Sequence, residues 1–255
     1  MYNNLITIGN FTIHGYGLMI GIGIIAAWVV AEKRAGSLGL DTNRLWYMTI
    51  CVLVFGWVSA KILYYITEIP AIIENPRILL DFANGFVVYG GIIGGLLSGL
   101  IYCRRHKISF LEYADLMLPS VALAQGFGRI GCFLAGCCYG VETSSPFHLV
   151  FHNSEFAPNG VPLVPTELIS SGLNFLNFAV LLLIARRKPR HGTVVVCYLL
   201  FYSVGRFIIE FFRGDLIRGA VGPLSTSQFI SIWVFAAALI ILIGMNRKSR
   251  QKAAE

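Results

Sequence analysis

The chain has 255 residues, of which 56% are hydrophobic and only 13% are charged. Soluble domains carry about 25% charged residues, so this composition excludes a soluble protein and predicts an integral membrane protein. The formal net charge of +7 would suit a nucleic-acid-binding protein, but its distribution along the chain indicates membrane topology instead, and we expect no nucleic-acid partner.

Seven apolar runs are long enough to cross a hydrocarbon layer of about 30 Å. In chain order they lie at 13–31, 45–66, 83–103, 110–135, 168–185, 194–212 and 228–245. Residues 1–11 contain no basic segment, and the first run has no small-residue cleavage site, so we expect no cleavable signal peptide. The sequence therefore predicts an all-α integral membrane protein with a single transmembrane domain, residues 1–255.

The segments between these runs alternate in charge. The segments after runs one, three, five and seven hold 14 of the 20 lysines and arginines. Of the other segments, 67–82 has three acidic residues and one arginine, and the longest, 141–167, contains no lysine or arginine. By the positive-inside rule, the N-terminus is predicted outside the cell and the C-terminus in the cytoplasm. The proline-rich segment 141–167 is predicted to form an extracytoplasmic cap.

Several charged residues lie within the apolar runs, where they need a partner. Arg129 lies in the outer half of run four, and an arginine at that depth costs several kcal/mol unless an anion meets it. Run six carries four polar residues at spacings of i+4, i+4 and i+3, which place them on one helix face: Tyr202, Arg206, Glu210 and Arg213. Ion pairs of Glu210 with Arg206 and Arg213 explain part of this pattern. With Arg129 included, however, there are three arginines for one glutamate. The surplus charge predicts an anionic ligand, and a lipid phosphate suits two planar guanidinium groups.

Three of the six cysteines lie close together in the sequence, at Cys132, Cys137 and Cys138. Cysteine is a small residue compatible with lipid, and the spacing C-x4-C-C matches no common zinc pattern. Redox thiols, a metal site completed by His148 and His152, and acceptors for a sulfur species remain alternatives. A membrane transporter for a small anion or a sulfur species is a further alternative, although the sequence shows no internal repeat of the kind common in transporters.

Residues 126–140, GFGRIGCFLAGCCYG, resemble the signature of the prolipoprotein diacylglyceryl transferases, which is approximately G-R-x-G-N-F-x-N-x-E-x-x-G. Five positions match, namely Gly128, Arg129, Gly131, Phe133 and Gly140. Three depart, since Cys132, Ala135 and Cys137 stand where the family has Asn, Asn and Glu. Outside the signature, HGYGLM at 14–19 is similar to the family's HWYGLM, and RFIIEFFRGD at 206–215 is similar to its R-F-x-x-E-x-x-R segment. Ser225 with Gln228 resembles its S-x-x-Q, and Tyr89 replaces the histidine of its H-G-G motif.

The family's enzymes, found in the bacterial plasma membrane, move the diacylglyceryl group of phosphatidylglycerol to the lipobox cysteine of a prolipoprotein. The product is a thioether, and glycerol phosphate is released. The resemblance therefore implies phosphatidylglycerol, the signal peptide of a prolipoprotein and the lipid bilayer as partners, with no metal or other cofactor. It implies catalytic roles for Tyr16, Tyr89, Arg206 and Glu210. It implies phosphate binding by Arg129, Arg206 and Gly140, with Cys132, Cys137 and Arg213 as additional candidates.

Overall fold

A computed structural model of the protein describes residues 4–8, 11–82, 84–215 and 219–252. Its helices are α1 (Gly15–Leu38), α2 (Thr42–Thr67), α3 (Ile69–Glu74), α4 (Val88–Arg105), α5 (Phe110–Ala135), α6 (Thr166–Arg186), α7 (Thr193–Glu210) and α8 (Thr226–Lys252), with a 3-10 turn at Pro76–Leu80. Within these residues the strands form three short antiparallel pairs: β1 (Asn4–Ile8) with β2 (Phe11–His14), β3 (Leu149–Val150) with β4 (Pro162–Leu163), and β5 (Ala220–Val221) with β6 (Leu224–Ser225).

Six helices in the described part of the chain are long and apolar enough to cross a membrane: α1, α2, α5, α6, α7 and the Thr226–Met245 part of α8. The predicted third run corresponds to α4, which is not one of the six. Its length is not the reason, because α4 and α7 have 18 residues each. Five glycines and two terminal arginines make α4 less apolar than the six. The protein is thus an all-helical, multi-pass membrane protein.

The chain divides into two compact units, Met1–Ala31 with Ala114–Glu255, and Glu32–Tyr113. In the second unit, α2 and α4 pack against each other through their glycines. A Cβ atom added to Gly90 would lie 2.5 Å from the backbone oxygen of Ser59, and one added to Gly56 would lie 3.3 Å from the oxygen of Gly91. Small residues at these positions let the two backbones approach closely, which is how helices associate in lipid.

In the first unit, Asp115 of α5 binds the beginning of α7. Its Oδ2 accepts a hydrogen bond from the backbone N–H of Gly192 at 2.6 Å, and its Oδ1 accepts one from Val195 at 2.8 Å. The first N–H groups of a helix have no partner within the helix, and a carboxylate there also meets the positive end of the helix dipole. Asp115 therefore caps α7 from a neighbouring helix.

The predicted cap, residues 141–167, is a folded segment that leads into α6. It contains the β3–β4 pair and a small buried core made by Phe151, Ala157 and Leu163. Phe133, near the end of α5, packs against this core and its ring centroid lies 6.3 Å from that of Phe151. The cap is therefore packed onto the helix that carries the signature.

Helix α7 ends at Glu210, two residues earlier than the predicted run. Beyond it, Arg213 forms an antiparallel bridge with Gly140, and the N–H of Gly214 donates to the oxygen of Tyr139 at 3.0 Å. The prediction that Arg213 continues the helix face of Glu210 is therefore wrong. The physical reason is that the chain after α7 forms backbone hydrogen bonds with the segment that follows the signature.

Candidate active site

A cavity of about 950 Å³ lies in the first unit, between α6, α7 and the cap. Arg129 and Arg206 both line this cavity, so the structure brings together the two arginines predicted to bind an anion. Most of the remaining wall is apolar, with residues such as Leu173, Val180 and Phe201. Two guanidinium groups in an apolar cavity can bind a ligand that has both an anionic group and hydrocarbon chains.

Arg206 is held by one of its two terminal nitrogens. Its Nη2 lies 2.8 Å from Glu210 Oε2 and donates to Ser227 Oγ, also at 2.8 Å. Its other terminal nitrogen, Nη1, is buried and has no hydrogen-bond partner. Leaving a buried donor unpaired costs about 1–3 kcal/mol, and more when the group is charged. The orphan nitrogen of this cavity-lining arginine is therefore well suited to bind an oxygen of a ligand.

Glu210 is oriented by the beginning of α8. Ser225 Oγ donates to Glu210 Oε1 at 2.9 Å. Ser225 and Gln228 also bond each other reciprocally, because Gln228 Oε1 accepts from the Ser225 N–H and the Gln228 N–H donates to Ser225 Oγ, both at 3.1 Å. This is the capping-box arrangement, which satisfies two unpaired donors at a helix start. The S-x-x-Q motif thus orients the carboxylate that in turn orients Arg206.

The two tyrosines predicted to be catalytic lie in different units. Tyr16 is in the first turn of α1, and its ring packs on Gly131, where an added Cβ atom would lie 3.2 Å from Tyr16 Cδ2. Gly131 follows Arg129 by two residues, so the tyrosine lies beside the signature. Tyr89 is in the first turn of α4 in the second unit, with 46% of its surface exposed.

Gly140 has a packing role in the structure. A Cβ atom there would collide with the backbone oxygen of Val164 and would lie 2.9 Å from that of Phe212. Only glycine therefore lets the segment after the signature pass between the cap and the end of α7. Gly140 therefore affects the cavity through Val164 and Phe212, the two residues that it packs against.

At the end of α5, the Sγ atoms of Cys132, Cys137 and Cys138 lie within 4.8 Å of one another. Arg213, which is 8% exposed, donates from Nε to Asp215 Oδ1 at 2.8 Å and also hydrogen-bonds the Cys138 sulfur. Burial lowers the pKa of Arg213, but its bonds to Asp215 and Cys138 raise it overall above the ordinary value. Hydrogen bonds with Cys132 and Cys137, aided by Arg213, lower the pKa of the Cys138 thiol.

Some polar residues at the site were not predicted from the sequence. Asn174 and Asn177 of α6 line the cavity, and the Oδ1 of Asn177 is buried without a hydrogen-bond partner. Two asparagines three positions apart in an apolar run were a usable signal, because polar residues in a membrane helix usually face the protein interior. Glu167, in the first turn of α6, is 1% exposed and also has a carboxylate oxygen without a partner.

Comparisons with known proteins identify relatives along nearly the whole chain. The profile of the family described as prolipoprotein diacylglyceryl transferase matches residues 3–244. The phosphatidylglycerol–prolipoprotein diacylglyceryl transferase of Clostridium tetani is 47% identical over 229 residues, which cover 90% of this chain and 92% of that protein. Transferase 2 of Clostridium perfringens is 45% identical over 245 residues, 95% of each chain, and the Clostridioides difficile transferase is 32% identical over 251 residues, 96% and 98% of the two chains.

These relatives confirm the resemblance inferred from the signature in α5 and from the polar face of α7. The match continues through the cap and α8, so it is not confined to short motifs. The chain belongs to the prolipoprotein diacylglyceryl transferase family.

Proposed function

We propose that the protein transfers the diacylglyceryl group of phosphatidylglycerol to the lipobox cysteine of a prolipoprotein. The observation that carries this proposal is the apolar cavity in which Arg129 meets Arg206, with Nη1 of Arg206 buried and unpaired. A phospholipid supplies both the phosphate oxygens for these groups and the acyl chains for the walls. The relatives named as phosphatidylglycerol–prolipoprotein diacylglyceryl transferases support the same activity.

In this reaction the thiolate of the lipobox cysteine attacks the glycerol carbon next to the phosphate ester. A carbon–sulfur bond forms while the carbon–oxygen bond to phosphate breaks, and the thiol proton ends on the released glycerol phosphate. Negative charge therefore accumulates on the leaving phosphate, which Arg129 and Arg206 stabilise. Glu210 holds Arg206 in position through the 2.8 Å ion pair.

The tyrosines and Gly140 have supporting roles in the proposal. Tyr16, beside the signature, donates a hydrogen bond to the lipid headgroup, and Tyr89 takes the place of the family's histidine as a hydrogen-bonding partner. A phenol is a weak base at neutral pH, so Tyr89 is unsuited to removing the thiol proton. Gly140 keeps the cap and the end of α7 close together.

The proposed topology has seven spans, with α4 as the third, the N-terminus outside and the C-terminus in the cytoplasm of a bacterium. The alternation of basic segments supports it. The cap then lies on the outer side of the plasma membrane. Phosphatidylglycerol and the lipobox of a secreted precursor meet the cavity from that side.

The test is transfer by the purified protein in detergent, with phosphatidylglycerol labelled in its diacylglycerol part and a lipobox peptide as acceptor. We expect mass spectrometry to find a thioether-linked diacylglyceryl group on the peptide cysteine, and no product with the matched peptide that has serine instead. Arg129→Ala and Arg206→Ala are expected to abolish transfer without preventing membrane insertion. An unmodified cysteine peptide, with protein that still binds anionic lipid, would contradict the proposal.

A further inference from the structure

The end of α5 brings two of the three cysteines together. The N–H of Cys137 donates to the oxygen of Cys132 at 3.1 Å, and the N–H of Gly136 donates to the oxygen of Phe133 at 3.1 Å. With Gly136 at a φ of 72°, these two bonds form a Schellman motif, the common way to end a helix. The motif folds the chain back so that the side chain of Cys137 returns to the last helical turn, beside that of Cys132. The C-x4-C spacing is thus explained by a helix cap.

Cys138 joins this pair because its backbone is left-handed, with a φ of 66°. Neighbouring residues in extended chain point to opposite sides, so this conformation is what lets two consecutive thiols face Cys132. It is fixed from outside, since Thr166 Oγ1 donates to the Cys138 oxygen at 3.0 Å and Arg213 hydrogen-bonds the sulfur. Arg213 is itself held by the carboxylate of Asp215. The positions of the three thiols are therefore fixed by the backbone and by neighbouring side chains.

Three sulfur atoms within 4.8 Å of one another can converge on one thiophilic ion with a small contraction. Zinc bonds thiolate sulfur at about 2.3 Å and prefers four ligands. Among the described residues, the group that can hold a metal contains the three cysteines and neither His148 nor His152. Three protein ligands and an open fourth position are the arrangement of catalytic zinc sites, whereas structural sites have four protein ligands.

The charges around the cluster also favour such an ion. Zinc with three thiolates carries one net negative charge, and binding a substrate thiolate adds another. Arg213 donates to one of the three sulfurs and Arg129 lies one helical turn before Cys132, so cationic groups are present to balance this charge. The guanidinium groups that disfavour a bare cation therefore stabilise a thiolate complex.

We propose that Cys132, Cys137 and Cys138 bind Zn²⁺, and that the open fourth position binds and activates the lipobox thiol of the prolipoprotein. The inference rests on the proposed function, because it assigns the step in which the acceptor sulfur becomes a thiolate. A thiol that coordinates zinc is deprotonated outright. The family resemblance implies no metal, and two of these cysteines stand where the signature has Asn and Glu. The site is thus a property of this chain's own substitutions.

In the balanced reaction, the lipobox thiol loses its proton when its sulfur coordinates the ion. The coordinated sulfur then attacks the glycerol carbon, the carbon–oxygen bond to phosphate breaks, and the oxygen keeps the electron pair. The released phosphate monoester takes up one proton, so no oxidant or reductant is needed. The thioether is a weaker ligand than the thiolate, which lets the product leave.

The first experiment measures metal content and ligand type. We expect the protein, purified without chelator, to contain about one zinc per chain. Replacement by Co²⁺ is expected to give the near-ultraviolet absorption of cobalt–thiolate bonds. Cys132→Ser and Cys137→Ser should each lower zinc affinity by at least about 100-fold, since even second-shell changes cost 10- to 100-fold. Cys51→Ser, in α2 and outside the cluster, is the matched control and should keep the metal.

The second experiment adds a lipobox peptide to the Co²⁺ protein. We expect the cysteine peptide to intensify the cobalt–thiolate absorption, and the serine peptide to leave it unchanged. Metal-free protein that transfers at the full rate, or a wild-type protein whose cluster is a disulfide, would overturn the zinc site while leaving the proposed function intact. A peptide-dependent cobalt spectrum without any transfer would instead contradict the proposed function and keep the thiol-binding site.

Discussion

Arg206→Lys separates the charge of the arginine from its two-nitrogen geometry. In the structure Nη2 is occupied by Glu210 and Ser227, and Nη1 is left for the ligand. Lysine has one nitrogen, which cannot satisfy Glu210 and hold the phosphate in the same geometry. The loss is thus one hydrogen bond to a charged group, worth about 1.5–3 kcal/mol. At about 1.4 kcal/mol per factor of ten, we expect kcat/KM to fall about 10- to 150-fold.

The assay is the transfer of labelled diacylglyceryl to a lipobox peptide, with kcat and KM measured separately. Charge develops on the phosphate as the carbon–oxygen bond breaks, so we expect most of the loss in kcat. Arg187→Lys, at the exposed end of α6, is the control and should leave both constants unchanged. Turnover by Arg206→Lys within about twofold of the wild type would refute the reasoning, because the second nitrogen would then contribute little to the reaction.

Three other substitutions test the support of the site. Ser227→Ala removes one partner of a charged group and should lower kcat/KM about 2- to 10-fold in the same assay. Gly131→Ala places a methyl group 3.2 Å from the tyrosine ring packed on it and should destabilise the fold by about 1–3 kcal/mol in detergent thermal unfolding, whereas Gly128→Ala, with nothing within 4 Å, should not. Asp115→Ala should lower unfolding stability by about 0.5–2 kcal/mol through loss of the α7 cap, and unchanged stability would contradict that role.

The meeting of Arg129 and Arg206 could be predicted from the sequence because it follows from local rules. Charge alternation gives the direction of each span, and residue counts then give the depth of each arginine. The pairing of Arg206 with Glu210 follows equally from the i+4 spacing on a helix. Both predictions depend only on regular helices.

The position of Arg213 and the thiol cluster could not be predicted in this way. The end of α7 is set by backbone pairing with the segment around Gly140, which is distant in the chain. The C-x4-C-C spacing matched no zinc pattern, because such patterns describe ligands on loops and regular elements. Here a helix cap and one left-handed residue bring the thiols together. Irregular backbone at the ends of helices was thus the missing information.

The carboxylate of Asp115 is also a common reference point for the positions of Arg129 and Arg206 along their helices. Arg129 follows Asp115 by fourteen residues, and Arg206 follows Gly192, which Asp115 binds, by the same number. At 1.5 Å per residue, each arginine lies about 21 Å along its helix from one shared contact. A residue inserted after Asp115 would displace Arg129 by about 1.5 Å and turn it by about 100° relative to Arg206. The relative positions of the two phosphate-binding arginines are therefore set by a contact at the opposite end of the same two helices.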